Sequence, residues 1–134
     1  MDEITVHVEA DVNPTEDENK VKRAVENMFG NLNFEVETHN HGANLLVGKG
    51  KGKEALTKLQ NLLRRERIRD AARHALYEGL GEGSLIFYLN KQVAFVDHVS
   101  FSKPFGESPL GPIRVEVQCG NPRELIDWLT FKTS

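Results

Sequence analysis

Apolar side chains recur at every second position in several short stretches, and this period limits the possible folds more than any other feature. Ile4, Val6, Val8 and Ala10 alternate with Thr5, His7 and Glu9. Leu85, Phe87 and Leu89 repeat the pattern, as do Ile113, Val115 and Val117. A strand sends successive side chains to opposite faces, so each stretch has one face for a core and one for water. Phe34, Val36 and Thr38 predict a further strand and Asn44 to Val47 a short one, with His39-Asn40-His41-Gly42 as the hairpin turn between them. After Leu89, Asn90-Lys91 stands where a tight turn belongs, and Val93 and Phe95 predict a return strand.

Helical patterns fall between the strands. The stretch from Asn13 to Glu18 offers two N-caps, Asn13 or Thr15, each with a glutamate three residues on. Val21, Ala24, Val25, Met28 and Phe29 form one helical stripe, which Gly30 ends. Asn121-Pro122-Arg123-Glu124 repeats the cap signal ahead of Leu125, Trp128 and Leu129. The run from Lys53 to Leu80 contains a conflict of phase. Leu56, Leu59 and Leu63 make a stripe whose continuation is Glu66, Arg67, Asp70 and His74, all polar. Ile68, Ala72, Ala75 and Leu76 lie roughly half a turn away, at about 100° per residue. One straight helix cannot bury both stripes in one core, which predicts a break between Arg64 and Arg67. Elements in this order predict an α+β fold, a two-layer sandwich of a mostly antiparallel sheet with helices on one face.

At 134 residues the chain is expected to form a single domain, residues 1–134, with a core that needs no staples. Its one cysteine, Cys119, excludes an internal disulfide and any zinc site built on two cysteines of this chain. No apolar run approaches the roughly 20 residues of a membrane span. The N-terminus opens directly on a strand pattern, so no leader and a reducing, cytoplasmic setting are expected. The net charge of -3 is unevenly spread. Residues 1–37 carry ten acidic and three basic side chains, whereas residues 49–73 carry nine basic and three acidic, a balance of +6. Local field, more than net charge, decides where a polyanion docks.

Two motifs occupy the basic segment. Gly48-Lys49-Gly50-Lys51-Gly52-Lys53 precedes a helical pattern and reads as a loop. Its glycines would admit a phosphate close to the backbone, and Lys49, Lys51 and Lys53 would supply charge. It is no Walker loop, because Glu54 follows Lys53 where Ser or Thr belongs. Gly50, Gly52 and Ala55 fit a loose dinucleotide pattern, but the chain still reads as helix about 20 residues on, where an acid should close a second strand. The other motif is Arg64, Arg65, Arg67, Arg69 and Arg73. Arg69 and Arg73 are like charges one turn apart, which costs about 0.2–0.5 kcal/mol. Pairing of Glu66 with Arg69, and of Asp70 with Arg67 and Arg73, would make the run a solvated face instead. Among the aromatics, Tyr88 points away from Phe87 and is the candidate stacking platform. No RRM-type aromatic signature and no KH-type GXXG loop is present.

Catalytic and metal signals are sparse. His39 and His41 would need His7, Asp97, His98 or Cys119 nearby to hold a metal, and a polar turn accounts for them more simply. Asp97-His98 near Ser100 spells triad letters, but adjacency in sequence is not triad geometry. Asp70 and His74 read as a surface pair on a helix. No enzymatic activity, cofactor or metal is expected.

The frame from Leu62 to Leu76, Leu-Leu-Arg-Arg-Glu-Arg-Ile-Arg-Asp-Ala-Ala-Arg-His-Ala-Leu, resembles an archaeal family described as RNA-binding-like. So do the run Glu107-Ser108-Pro109-Leu110-Gly111-Pro112-Ile113 and the opening strand with Pro14-Thr15-Glu16-Asp17 and its helix, so the resemblance spans nearly the whole chain. It implies the fold of the ribosomal protein that binds 5S rRNA. The family has no established activity, so the resemblance implies no catalytic residues and extends only to Arg64, Arg65, Arg67, Arg69 and Arg73 as RNA contacts. Together these features predict a protein that binds structured RNA through backbone phosphates, with Lys49, Lys51 and Lys53 joining the arginines on one face. The alternative is a non-catalytic protein-interaction module, with a homodimer as one form. It would use the loop from Lys103 to Pro112, with Phe105 and Leu110, and an exposed strand edge.

Overall fold

Alternation becomes strand throughout the sheet. The structure, a computed structural model, describes residues 3–38, 43–104 and 110–131. Strands β1 (Thr5–Val12), β2 (Asn33–Thr38), β3 (Asn44–Lys51), β4 (Leu80–Gly81), β5 (Ser84–Leu89) and β6 (Ile113–Gln118) form one sheet in the order β2-β3-β1-β6-β5-β4. Each neighbouring pair is antiparallel. The helices are α1 (Glu18–Met28), α2 (Thr57–Arg65), α3 (Arg69–Glu78), α4 (Lys91–Phe95) and α5 (Pro122–Leu129). The result is the expected two-layer α+β sandwich.

The register explains which face is covered. Val6, Val8 and Ala10 stand opposite Val117, Val115 and Ile113 on one side and Gly50, Gly48 and Leu46 on the other. All of these are buried and meet the apolar stripes of the helices. Burying each such aliphatic side chain contributes roughly 1.5–3 kcal/mol. Thr5, His7, Glu9 and Asp11 alternate with them, point the other way and are exposed or half-buried. A slip of one residue would exchange the two sets, so the pattern fixes the pairing.

Two local expectations are corrected. Helix α1 is capped by neither Asn13 nor Thr15 but by Asp17, whose carboxylate accepts the Asn19 N–H at 2.9 Å. Glu16 is drawn elsewhere, to the Asn13 N–H at 3.0 Å and the Lys91 ammonium at 2.9 Å. The return strand expected at Val93 and Phe95 is the short helix α4, because the Asn90 side chain accepts the Val93 N–H and so acts as an N-cap and not as a turn residue. Lys91, only 3% exposed, also donates to the Asp11 and Leu110 carbonyls at 2.8 and 2.7 Å. All three ammonium protons are thus satisfied. Burial alone would raise the Glu16 carboxyl, but the Asn13 N–H and Lys91 bonds outweigh it and hold the group below its ordinary range.

The run from Lys53 to Leu80 divides where its phase requires. Helix α2 buries Leu59, Leu62 and Leu63, α3 buries Ala72 and Leu76, and residues 66–68 turn between them. The turn is a Schellman motif. The Arg67 N–H bonds the Arg64 carbonyl at 3.2 Å, and the Ile68 N–H bonds the Leu63 carbonyl at 3.4 Å. Arg67 itself has φ +56°, the left-handed conformation in which this motif usually carries glycine.

Candidate nucleic-acid interface

The glycine–lysine segment is a strand and not a phosphate-cradling loop. Residues 44–51 are β3, and only Gly52, with φ +79°, starts the turn that follows. The segment alternates like the other strands, with glycine inward and lysine outward. A β-carbon on Gly50 would stand 2.7 Å from Leu32 Cδ2, and one on Gly48 would stand 3.0 Å from Leu32 Cδ1. These glycines make room for Leu32 against the sheet. Lys49 and Lys51 consequently project from the open face, in register with His7 and Thr5. There they line a shallow hollow of about 710 Å³ with His7, Glu9, Arg114 and Glu116. Glu9 is engaged by His7 at 3.0 Å and by Arg114 at 3.9 Å, and Glu116 by Arg114 at 3.3 Å. Tyr88, the expected stacking platform, lies on this same face, half-buried and in register with Arg114.

Lys53 and the five arginines belong to the other layer. Lys53 lies over the Trp128 ring, 5.5 Å from its centroid. The two motifs therefore do not join on one face, and the single cationic track expected from sequence is replaced by two separate groups. The reason is the sheet itself: β3 turns its lysines away from the helices to which its own chain then leads.

Within the arginine group, the expected short-range pairing does not form. Arg65 bonds the Asp97 carbonyl and carboxylate, the latter at 3.5 Å. Arg73 reaches Asp127 at 2.9 Å and the Thr130 hydroxyl at 2.8 Å. Glu66, expected to pair with Arg69, instead accepts the Val99 N–H at 2.6 Å and pairs with His98 Nδ1 at 2.9 Å. The Val99 bond foremost, then the His98 bond, hold the Glu66 carboxyl below its ordinary range. His74 pairs with Glu78 at 2.8 Å and not with Asp70. Arg64 is exposed and lies on the Phe131 ring at 3.7 Å. Arg67 and Arg69 are exposed and have no carboxylate partner among the described residues. The corner between α2 and α3 thus presents Arg64, Arg65, Arg67 and Arg69 to solvent, and among the described residues only Arg65 of the four meets a carboxylate.

Three aromatic residues lie beside this corner, of which sequence placed only Trp128, and that as part of the last helical stripe. Trp128, Phe131 and Tyr77 are half-buried along the α2, α5 and α3 seam. One signal was available for Trp128. The buried stripe of α5 is Leu125, Ile126 and Leu129, and Trp128 falls outside it. The His39-Asn40-His41 turn and Phe105 lie outside the described residues. Among those described, no group of three or more His, Cys, Asp or Glu side chains could hold a metal ion. No helix is long and apolar enough to cross a membrane.

Comparison with known proteins places the chain. A family model described as RNA binding matches residues 5–119. A UPF0201 protein of Sulfurisphaera tokodaii is 43% identical over 127 residues, covering 95% of this chain and 87% of that one. A UPF0201 protein of Pyrobaculum calidifontis is 42% identical over 129 residues, covering 96% and 90%. The crystal structure of a UPF0201 protein from Methanococcus jannaschii superposes with a TM-score of 0.86 at 32% identity, covering 97% of this chain and 95% of that one. With a two-layer sandwich shared over almost its full length and relatives this similar, the chain belongs to the UPF0201 family of archaeal proteins, whose matching family model is described as RNA binding.

Proposed function

We propose that this protein is a non-catalytic module that binds structured RNA through backbone phosphates, using the arginine corner between α2 and α3. One observation carries the proposal. Arg67 occupies the left-handed position of a Schellman motif, where a non-glycine residue costs about 1–2 kcal/mol. The Schellman hydrogen bonds account for the backbone there, but the exposed guanidinium itself forms no ion pair among the described residues. A cation held at a strained corner, with Arg64, Arg65 and Arg69 around it, fits a polyanion. The RNA-binding description of the family model points the same way. Arg64, Arg65, Arg67 and Arg69 grip the backbone, with Lys53, just ahead of α2, extending the contact. Arg73, tied to Asp127, orients α5 and makes no phosphate contact. Lys49 and Lys51 take no part. A ribosomal 5S-type relation between sheet and helices is the architecture this reading assumes.

Titrating labelled RNA over a salt series tests it. Four to six phosphate contacts give a slope of log K against log salt of about -3 to -5. A flat response, or no binding at low salt, overturns the proposal.

A further inference from the structure

The seam beside the arginine corner carries rings as well as charge. Arg64 lies over Phe131 at 3.7 Å, Lys53 over Trp128 at 5.5 Å, and Arg73 and Arg123 over Tyr77 at 5.4 and 5.8 Å. Four of the six cation–ring contacts among the described residues fall on this one seam. The seam is also held in place. Gln60 donates to the Trp128 carbonyl at 2.8 Å, and Arg73 ties Asp127 and Thr130, so the end of α5 is clamped between α2 and α3. Phe131 adds an independent observation. Its φ is +51°, a conformation that a bulky residue rarely adopts, and it keeps the ring half-buried under Arg64.

We propose that this seam stacks unpaired RNA bases, so that the bound part of the RNA is a single-stranded loop, bulge or end and not a duplex. The proposal rests on the RNA-binding reading above and specifies its ligand. The Arg64 guanidinium, 3.7 Å from the centroid of the Phe131 ring on an exposed residue, is open to solvent, and bases stack on arginine planes as they do on aromatic rings. Lys53 has a flexible stem, so its ammonium can leave Trp128 for a phosphate as a base takes its place. Arg67 and Arg69 hold the backbone alongside. A duplex keeps its bases paired inside and offers the seam only phosphates and sugars.

Trp128 is the only tryptophan of the chain, so its emission reports stacking without any substitution. The full chain is titrated with a single-stranded oligoadenylate and with an RNA duplex of equal phosphate number, following Trp128 emission and the anisotropy of the labelled RNA. The single strand quenches Trp128 and binds at least about fivefold more tightly than the duplex. Phe131→Ala removes the ring that supports Arg64 and weakens the single strand by at least about fivefold, with the roughly 150-fold of one whole lost stack as the ceiling, and leaves the duplex within about twofold. Phe131→Tyr, which keeps a ring, restores single-strand binding. Equal affinities, an unmoved Trp128 emission, or equal weakening of both RNAs by Phe131→Ala overturns the proposal. If Arg67→Ala/Arg69→Ala weakens both RNAs while Phe131→Ala weakens neither, stacking is refuted and phosphate binding stands. If no RNA binds, both readings fail.

Discussion

Replacing Arg67 by glycine should stabilise the protein and weaken its hold on RNA at the same time. The left-handed φ of +56° costs a side-chain-bearing residue about 1–2 kcal/mol, and glycine removes that cost. Glycine also loosens the unfolded chain, which returns about 0.4–1 kcal/mol. The net gain is about 0.5–1 kcal/mol. No ion pair is sacrificed, since Arg67 has none among the described residues. For 134 residues the unfolding entropy is about 0.28 kcal/mol/K, so Tm should rise by about 2–4 °C. One phosphate contact should disappear with the guanidinium, which shallows the salt dependence of log K by about 0.7–0.9. Calorimetry reads the first quantity and a salt series of anisotropy titrations the second. A lowered Tm would refute the reading of the α2–α3 turn as a strained Schellman cap. An unchanged salt slope would refute the assignment of Arg67 to a phosphate.

Other consequences concern the fold. Lys91→Met leaves the Glu16 carboxylate without its buried cation and should cost about 3–5 kcal/mol, read as a lower urea midpoint at unchanged m-value. Glu16 and Glu66 are both held below the ordinary carboxyl value of 4.5, so their contribution is complete above that value and is lost as pH falls through their lower folded-state values. Tm should therefore drop on acidification from about pH 5 toward pH 3, and Glu66→Gln should flatten the drop while lowering Tm at neutral pH.

Much of the architecture was legible because it rests on periods. Alternation located the strands, and the collision of two helical stripes located the break before Arg67. The same rule could have exposed β3, because Gly48, Lys49, Gly50 and Lys51 also alternate. Glycine is depleted in strands, however, and the need for it arises only where Leu32 crosses the sheet, a fact of tertiary packing. Asn90 serves equally well as a turn residue or an N-cap, and only the Val93 bond decides between them. The arginine pairing was illegible for a different reason. Arg65 finds Asp97 and Arg73 finds Asp127, partners 32 and 54 residues away that no one-turn spacing rule reaches. Which cations remain exposed, and beside which rings, is set by how α5 and the segment after α4 pack on α2 and α3.

The most direct measurement compares RNA binding over a salt series for three proteins: the unaltered chain, Arg64→Ala/Arg67→Ala/Arg69→Ala and Lys49→Ala/Lys51→Ala. The arginine variant should shallow the slope by about 2–3, while the lysine variant, altered on the far side of the sheet, should parallel the unaltered chain. A slope lost with the lysines and kept without the arginines would contradict the account and place the RNA on the open face of the sheet.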